Sequence, residues 1–335
     1  MGAKPMKALQ QRAYGPPSQV VDLVDLPDPI AAAGEVVVEI EAAAMHLADL
    51  KFINGDPGFR WFTFPRICGH EGVGRVVACG TGVTTLRIGE RVLLPQGCGT
   101  FRQRVAVKAA ECMPAPDGDP RQLALVTVNG MTAVILLEDY AGHLKPGQWL
   151  LQNGANSSCG RFIIRLARER GLKTCNIVRR AELAQELTTL GADAVVVDAG
   201  SPDTTAALVA AATGKAEISI GFDCVAATGT ETIARCLAKE GTVVNYGFMT
   251  GANCEIAFQD LFLKKIKLVG MNMSNPRTDA ERRAVYDKLG KMAARGELTA
   301  KIAATYTLEH AQEAFAHQAR TGADRQGKII ILPNG

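Results

Sequence analysis

Residues 149–170 read WLLQNGANSSCGRFIIRLARER. The apolar run 149–152 predicts a short strand. Residues 161–170 put Phe162, Ile163, Leu166 and Ala167 on one face of a helix. Between them lies the turn Asn153-Gly154-Ala155-Asn156-Ser157-Ser158-Cys159-Gly160. A strand, a small-residue turn and a helix in that order form the context of a dinucleotide site. Small side chains let the backbone approach a pyrophosphate, and the helix N-terminus adds unpaired N–H groups and partial positive charge. The pattern G-x-G-x-x-G appears here as Ala155-x-Ser157-x-x-Gly160, with only its last glycine kept. On the turn alone, a tight bend without a ligand is an equal reading.

Further strands are predicted at 173–178, 194–197, 218–222, 242–246 and 267–269, with helical patterns between most of them. One such helix, 181–190, is ended by Gly191. Strands alternating with helices predict right-handed crossovers and a doubly wound parallel sheet, an α/β fold of Rossmann type. The second strand ends at Arg179 and Arg180, nineteen and twenty residues beyond Gly160. An acid at that place accepts from the ribose 2′-hydroxyl; a guanidinium instead pairs with a 2′-phosphate. The sequence therefore predicts NADPH rather than NADH. Against this stands a plain reading of two solvated arginines at a helix start, which the helix dipole disfavours.

On the N-terminal side the texture is mostly β. Strands are predicted at 36–44, 72–80 and 91–94. Residues 58–65 (GFRWFTFP) crowd Phe59, Trp61, Phe62 and Phe64 into an irregular loop. Residues 123–140 read as helix. Past the α/β region, helices at 279–295 and 308–320 and a strand at 328–332 form a tail that returns to the first domain. The division expected is 1–121 with 270–335, and 122–269.

Composition narrows the function classes. Net charge is +3 over 335 residues, which gives no electrostatic footprint for nucleic acid. No apolar run reaches the roughly 18–20 residues of a membrane span. The first residues show no secretory apolar region. Nine scattered cysteines without a C-x-x-C spacing predict a reducing, cytoplasmic setting.

The chain resembles the medium-chain dehydrogenase/reductase superfamily over nearly its full length. Several segments carry the likeness: Val128-Asn129-Gly130-Met131-Thr132-Ala133, Leu144-Lys145-Pro146-Gly147, residues 152–160, Asn176-Ile177-Val178-Arg179, Phe222-Asp223-Cys224-Val225, residues 242–249, and Arg295-Gly296-Glu297-Leu298-Thr299-Ala300. Within it the chain is most similar to 2-enoyl thioester reductases, and next to quinone oxidoreductases. The resemblance implies a GroES-like, mostly β catalytic domain beside the Rossmann-type cofactor domain. It also implies NADPH lying between the domains. Asn129 would lie near the nicotinamide end, with Asn156, Ser157, Ser158, Cys159 and Gly160 at the phosphate turn. Arg179 and Arg180 would meet the 2′-phosphate. Tyr246, Gly247, Phe248, Met249, Met271, Asn272 and Met273 would follow the nicotinamide side, with Lys328 from the tail. A homodimer paired through an edge strand, 242–246 or 267–269, is implied too.

Zinc-dependent relatives use a Cys, a Gly-His-Glu and a later Cys. Here Gly69-His70-Glu71 is present, His46 takes the first Cys position, and the later one falls near Asn129-Gly130. Only Cys98 is near the place of a four-cysteine lobe. Adjacent residues such as His70 and Glu71 rarely serve one tetrahedral metal, so no metal site is expected. His46 and His70 are then expected to line a polar pocket.

The enoyl thioester reductases supply a Tyr proton donor, and alignment puts Pro57 there; no Tyr lies between Tyr14 and Tyr140. Met271-Asn272 also replaces an aromatic pair. Three substitutes remain open: His46, whose ordinary pKa suits acid–base work; water; or a substrate that needs no acid. Asp49 is expected to cap a helix at 49–53. Phe59, Trp61 and His70 are candidates for the substrate pocket, with core packing the equal alternative for the aromatics. The function expected is NADPH-dependent reduction of an activated C=C bond in a small molecule, a 2-enoyl thioester or another α,β-unsaturated carbonyl. Quinone reduction is the alternative. A zinc-dependent alcohol dehydrogenase and a catalytically degenerate NADPH-binding protein are the further ones.

Overall fold

Six strands of the second half lie side by side in one parallel sheet. Their order across it is Ala194–Val197, Lys173–Val178, Trp149–Gln152, Ile220–Asp223, Thr242–Asn245 and Lys267–Gly270. This computed structural model describes residues 5–271, 277–325 and 327–335. The sheet order reverses beside Trp149–Gln152, which is the switch point where α/β sheets bind ligands at strand C-termini. The inner strands read as continuous apolar runs because both faces are covered: Leu151, Cys175, Ile177, Val243 and Ile233 pack in one cluster, and Ala155, Ile164, Val178 and Leu187 in another.

One carboxylate ties three of these strands together at their C-terminal ends. Asp223 is fully buried. Its Oδ1 accepts from Asn153 Nδ2 at 2.7 Å and from the backbone N–H of Val225 and Ala226. Its Oδ2 accepts from Thr230 Oγ1 at 2.6 Å and Asn245 Nδ2 at 2.9 Å.

The chain divides into two units, Met1–Gly130 with Thr278–Gly335, and Met131–Arg277. The first holds a three-stranded sheet, with Met6–Gln11 between Val21–Leu26 and Arg66–Ile67. It also holds a seven-stranded sheet whose centre is the eleven-residue strand Glu35–Met45. That strand pairs antiparallel with Glu71–Cys79, with Arg104–Lys108 and with the tail strand Lys328–Ile331. The tail also supplies Ile302–Tyr306, a strand that the sequence pattern did not reveal because its residues are all half-buried or exposed. Val36, Val38, Ile40, Phe101, Phe315, Ile329 and Ile331 form the core of this unit.

The stretch expected as one helix over 123–140 is instead broken. A short helix at Pro120–Leu123 is followed by a π-turn at Val126–Gly130, α-helix at Met131–Ile135 and a second π-turn at Leu136–Tyr140. Residues 58–65, which follow Pro57 and end on Pro65, are irregular as expected.

Asp223→Ala deletes a fully buried acceptor with five donors, three of them in buried hydrogen bonds. It is expected to cost about 3 kcal/mol or more, read as a lowered urea midpoint for the unit Met131–Arg277.

Candidate functional site

In the unit Met131–Arg277, the candidate turn follows the strand Trp149–Gln152 and opens the helix Ser158–Glu169. Ser157 caps that helix: its Oγ accepts from Gly160 N at 3.1 Å. Ser158, Cys159 and Gly160 are buried in the first turn, and Asn156 is exposed. Two glycines are obligatory. A Cβ on Gly160 would lie 2.6 Å from the Ala155 carbonyl oxygen, and one on Gly154, at φ +56°, would lie 2.4 Å from Cys224 Sγ. First-turn N–H groups have no intrahelical partner. The turn therefore presents backbone, not side chains, at the point where an anion is favoured.

Beneath the turn lies a sulfur-rich floor. Cys224 Sγ is 3.7 Å from Met249 Sδ, and burial pushes its thiol up to about 12. Arg179 is close enough to draw it the other way. Burial also holds the Tyr246 hydroxyl well above its ordinary pKa, beside the thiols of Cys224 and Cys159. The segment from Tyr246 to Met249 is pinned by backbone: Tyr246 N donates to Asp223 O at 2.8 Å and Met249 N to Cys224 O at 3.0 Å. Gly247 O accepts from Asn245 Nδ2 and Phe248 O from Gly251 N. Met271 N donates to Asn245 O. Asn272 and Met273 lie outside the described residues.

The two arginines differ. Arg179 is exposed just past the strand Lys173–Val178. Arg180 is ion-paired with Glu182 at 3.1 Å, which leaves Arg179 as the more available cation for a phosphate.

In the other unit, three adjacent strands bring Lys328, His46 and Glu71 into a row. His46 follows the central strand Glu35–Met45. Ala44 sits opposite Glu71 in the neighbour on one side, and Met45 opposite Ile329 in the neighbour on the other. His46 Nε2 meets Glu71 Oε1 at 2.6 Å, and Lys328 Nζ meets His46 Nδ1 at 2.7 Å. Glu71 is fully buried. Its Oε1 also accepts from Asn129 Nδ2 at 3.1 Å, and its Oε2 from Thr127 Oγ1 at 3.0 Å and Val128 N at 2.7 Å. The π-turn Val126–Gly130 thus aims three consecutive donors at one carboxylate. Burial alone would raise the Glu71 pKa. The His46 ring, the Lys328 charge and the Val128 N–H together hold it below its ordinary value.

Asp49 occupies the third position of a helix that begins at Leu47, earlier than expected. Its carboxylate reaches back to His46 N at 2.7 Å, fixing the backbone of the histidine. Burial holds the His70 pKa below its ordinary value. His70 touches Phe52 at a ring separation of 5.6 Å. Phe52 also contacts Phe59, Trp61 and Phe62, so the expected pocket aromatics gather around a ring that the sequence reading passed over. Trp61 is 59% exposed.

Sequence reasoning also missed two hubs. Glu71 was weighed only as a metal ligand, and Asp223 was noted only within a motif. An acid at one terminus of an apolar strand, the first residue for Glu71 and the last for Asp223, was the available signal for both. Among the described residues, no group of three His, Cys, Asp or Glu is placed to hold a metal.

Residues 32–117 match the family described as alcohol dehydrogenase GroES-like domain, and residues 159–290 match the family described as zinc-binding dehydrogenase. The mitochondrial enoyl-[acyl-carrier-protein] reductase of Homo sapiens is 30% identical over 321 residues, covering 92% of this chain and 84% of its own length. Among solved structures, a putative NADPH:quinone reductase from Bacillus thuringiensis superposes with a TM-score of 0.88 at 22% identity, covering 98% of this chain and 99% of its own. A mycobacterial protein solved with NADPH gives a TM-score of 0.84 at 24% identity, with 98% and 100% coverage.

Glu71→Gln should destabilise the protein at neutral pH by about 3 kcal/mol, because one of two buried acceptor oxygens becomes an N–H donor facing other donors and the charge paired with His46 and Lys328 is lost. The Glu71 pKa is depressed in the fold, so its contribution is present above the ordinary value of 4.5 and is lost as pH falls through the folded value. Urea midpoints of the two proteins should converge below pH 4.5; a gap that stays constant would show that Glu71 is not ionised in the fold.

Proposed function

The chain belongs to the medium-chain dehydrogenase/reductase superfamily, and on that premise we propose that it is an NADPH-dependent reductase of activated C=C bonds. The observation that carries this reading is 30% identity to an enoyl-[acyl-carrier-protein] reductase over 92% of the chain. The substrate class is a 2-enoyl thioester or a related α,β-unsaturated carbonyl. NADPH, when bound, supplies a hydride for the electrophilic carbon. The chain's own part is to hold it: the turn from Asn156 to Gly160 cradles the pyrophosphate, and Arg179 pairs with the 2′-phosphate. The donor set does not suit zinc. Glu71 and Lys328 engage both ring nitrogens of His46, and Asn129, near the place of the later cysteine ligand, donates to Glu71. Quinone reduction is the second reading. It is favoured by Pro57, which stands where the resemblance places a tyrosine acid, because reduced quinone oxygens take up protons without one.

A reducing cytoplasmic compartment suits the nine cysteines, all free thiols. No helix among the described residues is long and apolar enough to cross a membrane. We also propose a homodimer through the sheet edge at Lys267–Gly270. Next to that strand in sequence, Phe258, Leu261, Phe262 and Leu263 are 53–67% exposed, and the Phe258 and Phe262 rings stack at 5.1 Å. An edge strand beside such a patch invites pairing with its own copy.

NADPH oxidation with crotonyl-CoA, a simple enone and 1,4-benzoquinone tests the activity. Turnover with the thioester or the enone is expected; NADPH binding with no turnover across the panel would refute it. Arg179→Ala should weaken NADPH binding about tenfold or more and leave NADH nearly unaffected, read by titration of nucleotide fluorescence. Phe262→Glu should convert the wild-type dimer to monomer in analytical ultracentrifugation; a monomeric wild type refutes the pairing.

A further inference from the structure

Two neighbouring strands of the parallel sheet are followed by opposite charges. Val178 lies opposite Val197, and the residues after them are Arg179 and Asp198. Asp198 N donates to Val178 O at 2.8 Å, so the two side chains leave adjacent backbones at the carboxyl edge of the sheet. Yet no ion pair joins them, and neither makes one elsewhere among the described residues. The half-buried Asp198 carboxylate is held from one side only. Its Oδ1 accepts from Gly200 N at 3.0 Å and from Thr205 Oγ1 at 3.0 Å. Thr205 is fully buried in the first turn of the helix Pro202–Ala212. Its Oγ1 also accepts from Ala199 N at 3.0 Å, which leaves its one hydrogen for Asp198. Asp198 Oδ2 keeps its lone pairs, with no partner among the described residues.

We infer that Asp198 reads the base of the nucleotide, its Oδ2 accepting a hydrogen from the exocyclic amino group of adenine. This rests on NADPH as the cofactor, and every residue it uses lies within the unit Met131–Arg277. The strand order sets the direction. The phosphate turn follows Trp149–Gln152, Arg179 follows the next strand outward, and Asp198 follows the edge strand beyond it. The segment from Tyr246 to Met249, expected along the nicotinamide, follows Thr242–Asn245 on the other side of the turn. The adenosine half therefore runs outward, toward Ala194–Val197. Base and 2′-phosphate hang from adjacent carbons of one ribose. A nucleotide whose 2′-phosphate meets Arg179 thus carries its base one strand spacing away, about 4.8 Å, on the side of Asp198. A carboxylate can only accept. Adenine offers it N–H hydrogens, whereas hypoxanthine carries a carbonyl oxygen at the same ring position. Two acceptors facing each other repel, so the acid selects the base by hydrogen-bond polarity rather than by shape.

Deamino-NADPH, with hypoxanthine in place of adenine, exchanges that amino group for a carbonyl oxygen and keeps the 2′-phosphate and the fluorescent nicotinamide. In fluorescence titrations the wild type should bind NADPH about tenfold or more tighter than deamino-NADPH. Asp198→Ala should bring the two dissociation constants within about twofold of each other. In Asp198→Asn the amide oxygen takes over from Oδ1 toward Gly200 N and Thr205, which leaves the NH2 group, a donor, for the base. That variant should bind deamino-NADPH the more tightly, by about threefold or more. An Asp198 that only orders the loop before Thr205 would move both affinities by one factor, so the ratio separates reading the base from holding the fold. Equal affinities in the wild type overturn the assignment, whether or not either variant folds. So does a preference for NADPH of about tenfold retained by either variant. A wild type that binds neither nucleotide refutes NADPH as the cofactor, and this proposal with it.

Discussion

A carboxylate kept charged in the interior is expensive, and Glu71 is fully buried. It is kept ionised by four donors from two separate parts of the chain: His46, and the π-turn with the side chains of Thr127 and Asn129 and the backbone of Val128. Each donor is satisfied only if the central strand, the strand beginning at Glu71 and the turn Val126–Gly130 all keep their register. The tail strand enters through Lys328 on the far side of His46. A single buried charge therefore makes the position of one element conditional on the others, which is how buried networks confer specificity of arrangement.

Asp223 plays the same structural part in the unit Met131–Arg277, at the strand ends that flank the switch point. Its donor Asn153 begins the turn that the strand Trp149–Gln152 feeds, and its donor Asn245 precedes the segment from Tyr246 to Met249. Both units thus use a saturated acid rather than an apolar contact to set the backbone around their candidate sites. Apolar contacts tolerate small slips; a carboxylate with five donors does not.

The parallel sheet was legible because period and composition agree there. The runs 149–152, 173–178 and 194–197 coincide with observed strands to the residue. The turn was legible because glycine at 160 has a steric reason, contact with the Ala155 carbonyl. What stayed hidden depends on partners remote in sequence. Nothing local to His46 signals that its two nitrogens are taken by residues 25 and 282 positions away. The strand Ile302–Tyr306 buries none of its residues fully and so lacks the alternation that marks a strand. The break in the helix at 123–140 was invisible for a different reason: a π-turn changes hydrogen-bond register without changing composition.

That π-turn has a consequence for how the chain can vary. Consecutive residues of an α-helix point about 100° apart, whereas Thr127, Val128 and Asn129 all reach Glu71, two through side chains and one through backbone. The wider turn makes this convergence possible. Loss of a single residue between 126 and 130 would restore ordinary winding and swing at least one donor away from the acid. Many substitutions in this stretch preserve its length, but a one-residue deletion does not. The segment is therefore sensitive to a change in chain length as well as to loss of the Thr127 or Asn129 side chain, unlike a surface loop, which tolerates insertions and deletions.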